Sequence, residues 1–295
     1  MGEYPKAIKY YQGSLKIAQI IKDGKSETRA LGNIGNAYRD LGDYSKAIEY
    51  LQQSLKIARE IQDPNVAITL LNLGGAYYSL GDYSKAIKYA QESLQIARKI
   101  KNLRGEGYVL GNLGGAYYTL GEYPKAINYY QQSLKIAREI EDPYVEGRSL
   151  SNLGLSYYKQ GNLALAEITL FKGIKVYESL RGKELKDSEK VTFFDTQRST
   201  YHNLQQVLIA QNKTETALEI SERGRARAFV ELLASRFSSN PQEKSPKPPN
   251  IENIKQIAKN QNSTLVQYSI IYDYFKVAGK QQYKQSELYI WVIKP

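Results

Sequence analysis

A mainly α-helical solenoid of antiparallel helix pairs is the fold class this sequence predicts, on three observations. The triplets Asn33-Ile34-Gly35, Asn72-Leu73-Gly74, Asn112-Leu113-Gly114 and Asn152-Leu153-Gly154 recur at spacings of 39, 40 and 40 residues. A fixed period in this range marks units that bury their apolar faces against their neighbours. Within each unit the apolar residues fall at three- and four-residue steps, the spacing of one helical stripe. Each unit is also cut in two, as at Gly81-Asp82, by a residue that ends one helix and a carboxylate that caps the next.

The second half of a unit, helix B, reads Tyr44, Ala47, Ile48, Leu51, Leu55, Ala58, Ile61. The first half, helix A, reads Leu70, Leu73, Ala76, Tyr77, Leu80. Asp63-Pro64 and Asp142-Pro143 restart the pattern with an Asp N-cap and a proline at the first helical position, where its missing N–H is harmless. Gly35, Gly74, Gly114 and Gly154 sit inside helix A, where glycine costs roughly 1 kcal/mol against alanine. They recur opposite Ala47, Ala86, Ala126 and Ala166, so close helix-to-helix contact is the expected compensation.

Leu73-Gly74, Tyr77, Gly81-Asp82-Tyr83 and Ala86, with their counterparts in neighbouring units, resemble the tetratricopeptide repeat (TPR) family. The resemblance implies a right-handed superhelix with helix A on the concave wall and helix B outside. Two departures are visible. The large residue four positions into helix A is Leu31, Leu70, Leu110 or Leu150, and the unit is some six residues longer than the common thirty-four. The extra length is similar to the long repeats of kinesin light chains.

Composition agrees with soluble globular structure: 295 residues, 42% hydrophobic and 24% charged. No apolar run approaches the roughly eighteen residues needed to span a bilayer, and the N-terminus lacks the features of a signal peptide, so a cytoplasmic protein without membrane partners is expected. With no cysteine, disulfides, thiolate metal sites and cysteine nucleophiles are excluded together. Gly2-Glu3-Tyr4-Pro5-Lys6-Ala7-Ile8 aligns with Gly121 to Ile127, the start of a helix B. The array is therefore expected to open on an orphan helix B, Tyr4 to Ile21, cut from a longer array. Four hairpins follow, about 25–62, 63–101, 102–141 and 142–182, giving a TPR array over 1–182.

After Arg181 the register slips, since Asn203-Leu204 repeats Asn152-Leu153 only after 51 residues. Residues 183–236 are expected to form a degenerate fifth pair with a lengthened helix A. Residues 237–250 hold four of the nine prolines and read as a linker. From 251 to 295 the period changes to 2, with buried strands expected at Thr264–Tyr272 and Leu288–Ile293. Ala217 to Leu233 resembles the helix that precedes a CHAT domain, a caspase-like module joined to TPR arrays, and Thr264–Tyr268 and Leu288–Ile293 are similar to its first two strands. Proteolysis in that family needs a histidine and a cysteine further along, as base and nucleophile. Neither is present here.

No catalytic residue, metal or cofactor is therefore expected, and no small-molecule substrate. The one histidine, His202, lies on a repeat helix without a partner cysteine. Arginines 223, 225 and 227 read as a solvated helix face with ion pairs. The net charge of +11 is carried by helix B lysines (Lys46, Lys56, Lys85, Lys88, Lys125, Lys135), so a solvated outer wall, and not a nucleic acid site, is expected. The binding candidates lie on helix A. Asn33, Asn72, Asn112 and Asn152 share one position, and a carboxamide can grip an extended chain's C=O and N–H without reading its side chains. By the TPR template the same wall gains Arg29, Arg39, Tyr78, Tyr118, Arg148, Tyr158 and Lys159, with Gly32, Gly75, Gly111, Gly115 and Ser151 keeping it open. The alternative is that the asparagines bond to neighbouring helices and stiffen the array. The sequence favours the first: a scaffold holding a protein or peptide segment, acidic or aromatic. The second functional reading is the regulatory N-terminal part of a TPR-CHAT protease whose catalytic residues lie beyond this chain.

Overall fold

Helix pairs repeat along the described residues of the computed structural model, which are 3–180, 187–224, 250–277 and 280–294. α1 (Glu3–Ile20) is followed by the hairpins α2/α3 (Gly24–Asp40, Tyr44–Glu60), α4/α5 (Val66–Leu80, Tyr83–Lys99), α6/α7 (Leu103–Thr119, Tyr123–Glu139) and α8/α9 (Pro143–Lys159, Leu163–Ser179). A long α10 (Asp187–Ala210) and a helix α11 (214–224) come next. They are followed by α12 (Ile251–Asn260) and a two-stranded sheet of β1 (Leu265–Val277) and β2 (Lys280–Ile293). The proline-rich stretch 237–249 and the arginines 225 and 227 lie outside the described residues, as does the second half of the CHAT-like helix, 225–233. The chain divides into two compact units, Met1–Val145 with Phe275–Gln282, and Glu146–Tyr274 with Tyr283–Pro295.

The turns explain the repeat. Between helix A and helix B a glycine takes a left-handed conformation (Gly42, Gly81, Gly121 and Gly161, φ from 76° to 95°), which only glycine adopts without steric cost. The next residue caps helix B: the Asp43 and Asp82 carboxylates accept from the Lys46 and Lys85 amides at 3.2 and 3.0 Å. The return turn from B to A uses a left-handed non-glycine residue, Lys22, Gln62, Lys101 or Glu141, at φ 52° to 55°.

The A–B contact is close, as the glycines require. A Cβ built on Gly35, Gly74 or Gly154 would lie 3.1 to 3.3 Å from the carbonyl oxygen of Ala47, Ala86 or Ala166. On Gly114 it would collide with the Tyr130 ring at 2.6 Å. One buried hydrogen bond recurs beside this contact. Ser54, Ser93 and Ser133 on helix B donate to the helix A carbonyls of Thr28, Ala67 and Gly107 at 2.9, 2.8 and 2.8 Å. Leu51, Leu70, Leu73, Leu110 and Leu113 are wholly buried around these contacts.

Two expectations change. α4 begins at Val66, not at Pro64, because the Asp63 carboxylate accepts from the Asn65 amide at 2.8 Å and closes a turn first. Pro143 does open α8, with Asp142 accepting from Val145 at 3.1 Å. The strands are longer than expected, and they are not buried on both faces. Ser269 and Ile293 are buried, whereas Val266, Ile290 and Val292 are more than half exposed, the alternation of a sheet with one covered face.

Candidate functional site

The A helices of the first unit form a continuous row, since α2 approaches α4 and α4 approaches α6 directly. In each helix the asparagine stands between two buried anchors: Leu31 and Ile34 around Asn33, Leu70 and Leu73 around Asn72, Leu110 and Leu113 around Asn112. Those anchors set the rotation of the helix and turn the carboxamide away from the core. Asn33 and Asn72 are half-buried and Asn112 is exposed. None of the three side chains makes a hydrogen bond to another described residue, so each keeps a donor pair and an acceptor available to solvent or a ligand.

Six residues after each asparagine lies a second row, Arg39, Tyr78 and Tyr118. Arg39 extends toward the next A helix, and its Nη1 lies 3.2 Å from where a Cβ on Gly75 would sit. Its only ion pair among the described residues is with neighbouring Asp40, at 3.3 Å. Tyr78 stands edge-on to Tyr83 at 5.4 Å, and Tyr118 leans on Tyr123 at 5.6 Å. The Tyr78 hydroxyl lies 2.9 Å from Thr119 Oγ1, which donates to the Gly115 carbonyl at 3.0 Å, so Tyr78 is the donor. This tie between successive A helices was not legible in the sequence, because Thr119 has no special place in the repeat pattern. Arg29 is exposed, without an ion pair among the described residues.

The second unit carries the remaining candidates. Asn152 is half-buried with its carboxamide free of hydrogen bonds to described residues, and Lys159 lies over the Tyr158 ring at 5.7 Å. Arg148 faces inward: its Nη2 has no solvent contact. Burial drives the Tyr177 phenol above its ordinary range, an effect that neighbouring Ser151 and the Arg148 charge partly offset. Ser151 does not open a wall. It is buried, donates to the Gly147 carbonyl at 2.9 Å and accepts from Thr200 at 2.6 Å.

On helix B the lysines are engaged locally. Lys46, Lys85 and Lys125 pair with Asp43, Asp82 and Glu122 at 2.9, 3.0 and 2.5 Å. Those hydrogen bonds raise each ammonium above its ordinary pKa. Arg223 forms a two-pronged pair with Glu178, which also accepts from the Tyr201 hydroxyl at 2.7 Å. His202 is partly buried; burial first and Arg198 second lower its pKa. Among the described residues no cluster of three or more His, Asp or Glu could hold a metal ion, and no helix is long and apolar enough to cross a membrane.

This architecture defines a class. The tetratricopeptide repeat family matches residues 1–60, 26–99 and 105–179, more than half of the chain, and the chain belongs to that family. Its first 180 or so residues thus carry the mainly α, superhelical repeat fold, followed by a short two-stranded sheet. Among known proteins, human Tetratricopeptide repeat protein 28 is 31% identical over 136 residues, 46% of this chain and 5% of that protein's length. The chain therefore spans only a small part of that relative. The crystal structure of BtubC (BKLC) from P. vanneervenii superposes with a TM-score of 0.67 at 16% identity, over 85% of this chain and 99% of that one. The nearly identical TPR-like repeats of a kinesin light chain from Podosopora anserina superpose with a TM-score of 0.55 at 18% identity, over 70% and 95%. Kinesin-light-chain TPR-like repeats are thus among the solved structures this chain is similar to.

Proposed function

We propose that the A-helix row of the first unit holds an extended, acidic segment of a partner protein. The TPR fold supports a role as a protein-interaction scaffold, and one observation carries the finer reading. Three equivalent carboxamides, Asn33, Asn72 and Asn112, are aimed out of the core without a hydrogen-bond partner among the described residues. A stiffening role would engage them with neighbouring helices. Stepped at one per repeat, they suit a ligand whose own backbone repeats. Arg29 and Arg39 would add charge-assisted bonds to carboxylates, and the Tyr78 and Tyr118 rings would take apolar or aromatic side chains. A cytoplasmic location belongs to the same proposal.

The experiment is a peptide-array screen on the full chain, then titration of the best ligand against wild type and the Asn72→Ala, Asn112→Ala double variant. Each truncation is expected to weaken binding by roughly 1 kcal/mol, more where a peptide amide is left unpaired. Binding is also expected to weaken with salt, because exposed charges are screened beyond about 10 Å at 0.1 M. Equal affinity of the double variant and wild type would assign the asparagines to the fold alone.

A second reading is favoured by the change from helices to a capped helix and sheet after residue 250. In it, residues 251–294 open a CHAT-like, caspase-type domain, and the repeats govern a protease in a longer parent protein. Its test is the parent gene. A histidine and a cysteine downstream, whose replacement abolishes peptide cleavage, would support it, and a parent lacking them would end it.

A further inference from the structure

Two seams on the helix B side of the first unit, between α3 and α5 and between α5 and α7, are built from the same repeat positions. Beside each lies an aromatic sandwich, in which a helix A tyrosine is held between a ring and an ammonium of helix B. Tyr77 stacks on Tyr89 under Lys85, and Tyr117 on Tyr129 under Lys125. The ring centroids are 5.5 and 5.3 Å apart, and the ammonium stands 5.0 and 5.1 Å from the helix A ring. Ring stacking and cation–π attraction both favour this arrangement.

The seams differ in where an arginine finds its acid. Arg59 of α3 reaches across the first seam to the Glu92 carboxylate of α5. Its counterpart Arg98 of α5 instead donates through Nε to Glu106 of α6, at 2.7 Å. The Glu92 position across the second seam is held by Gln132, whose Oε1 lies 3.4 Å from Arg98 Nη2. Asn128 stands where the first seam has Lys88, and its Oδ1 accepts from Gln132 Nε2 at 3.1 Å.

Where the carboxylate is missing there is a cleft of about 360 Å³. Leu94 and Arg98 of α5 and Asn128 and Gln132 of α7 line it, together with the Tyr117 and Tyr129 rings. Both carboxamide oxygens are already engaged, whereas Arg98 Nη1 and Asn128 Nδ2 donate to no described residue. The cleft thus offers chiefly N–H donors, beside the Lys125 ammonium, and it suits an acceptor.

We infer that this cleft is a second binding site, which takes the carboxylate of an Asp or Glu side chain from a partner protein. The partner fills from outside the place that Glu92 fills from within the chain one repeat earlier. A guanidinium carries five N–H donors in a fixed fork, so Arg98 serves Glu106 through Nε and the incoming carboxylate through its Nη groups. Asn128 Nδ2 adds a further bond, and Leu94 and the two rings receive the apolar stem of the side chain. Glu106 and Glu122 balance Arg98 and Lys125, so the site selects a carboxylate by hydrogen-bond geometry and not by net charge. It stands independently of the A-helix row.

The test titrates an acetylated, amidated tetraglutamate peptide to millimolar concentration into the full chain. NMR follows the side-chain amide signals of Asn128 and Gln132 and the Arg98 Nε–H, which are expected to shift and saturate together. Gln132→Glu supplies the built-in acid that Arg59 enjoys, and Arg98→Lys keeps a charge for Glu106 but removes the fork. Each is expected to weaken binding at the cleft about tenfold or more, a factor equivalent to 1.4 kcal/mol. No shift of these signals at millimolar peptide, or shifts indifferent to both variants, would overturn the inference. So would equal shifts with an all-glutamine peptide, which would show that the carboxylate is not what binds. Shifts confined to the Asn72 and Asn112 carboxamides would overturn it too, and would leave the acid to the A-helix row alone.

Discussion

The first three hairpins and the fourth keep the same glycine contact between helices A and B but differ in almost everything around it. In α2/α3, α4/α5 and α6/α7 the neighbouring positions hold a serine bonded to a helix A carbonyl, a tyrosine pair and a lysine above it. In α8/α9 the positions of Ser133, Tyr129 and Lys125 are taken by Gly173, Thr169 and Leu165. What replaces the repeated contacts is particular to that region. The Tyr177 ring lies against Gly147, Ser151 bonds Thr200, and Glu178 gathers Tyr201 and Arg223. Close approach of a helix A glycine to helix B, on a carbonyl, a leucine or a tyrosine ring, is thus the contact that all four hairpins share. The serine and the sandwich adapt it to a regular array, and long-range polar ties take over where α10 must pack on α9.

That contrast can be broken at its tightest point. Gly114→Leu must displace the Tyr130 ring, and overpacking of this kind costs about 1 to 3 kcal/mol. Urea unfolding with hydrogen exchange is expected to show the loss centred on α6 and α7, whereas uniform loss in both units would show a single cooperative core. Gly13→Ala is the opposite control. Nothing lies within 4 Å of a Cβ there, so the change is expected to stabilise α1 by about 0.5 to 1 kcal/mol.

Next in size is the polar knot of the second unit. Glu178→Ala leaves Arg223 and the Tyr201 hydroxyl without their shared acceptor. Because the pair is partly exposed, with side-chain exposures of 31% and 16%, the expected loss is about 2 kcal/mol, within the range for hydrogen bonds to charged groups. Little change in the urea midpoint would mean that the apolar contacts of Leu204, Leu208 and Ala217 hold α9, α10 and α11 together unaided.

The smallest effect is a pH dependence. Burial depresses the His202 pKa below 6.5, so the unfolded chain binds its proton more readily than the folded one. This contribution to stability is complete above about pH 6.5 and falls away as the pH drops through the folded value. His202→Gln is expected to flatten the urea midpoint between pH 7 and 5. An unchanged slope would place the titration elsewhere.

Most of the repeat was legible because its residues act locally. The Gly-Asp turns, the helix stripes and the glycine opposite alanine each follow from sequence spacing alone. What was not legible depends on the partner across a contact. The residue that meets the helix A glycine one turn beyond the alanine is Leu51, Ala90, Tyr130 or Leu170, and no periodicity says which ring or branch will fill the gap. The inward turn of Arg148 has the same origin, since the Tyr177 phenol near it comes from α9. Asp63 spends its carboxylate on a turn where Asp142 caps a helix, although both precede a proline. The asparagine positions were legible, because the anchors on either side of each are part of the repeat.

The central claim is that the buried serines serve the fold and the outward-facing asparagines serve a partner. It is tested most directly by comparing Ser93→Ala, Ser133→Ala with Asn72→Ala, Asn112→Ala, measuring urea stability and affinity for the best array ligand on both. The serine pair is expected to lose about 2 kcal/mol of stability at about 1 kcal/mol per bond, with affinity unchanged under native conditions. The asparagine pair should lose affinity by a similar amount, with stability unchanged. Loss of stability in the asparagine pair at unchanged affinity would contradict the account and return the ladder to the scaffold.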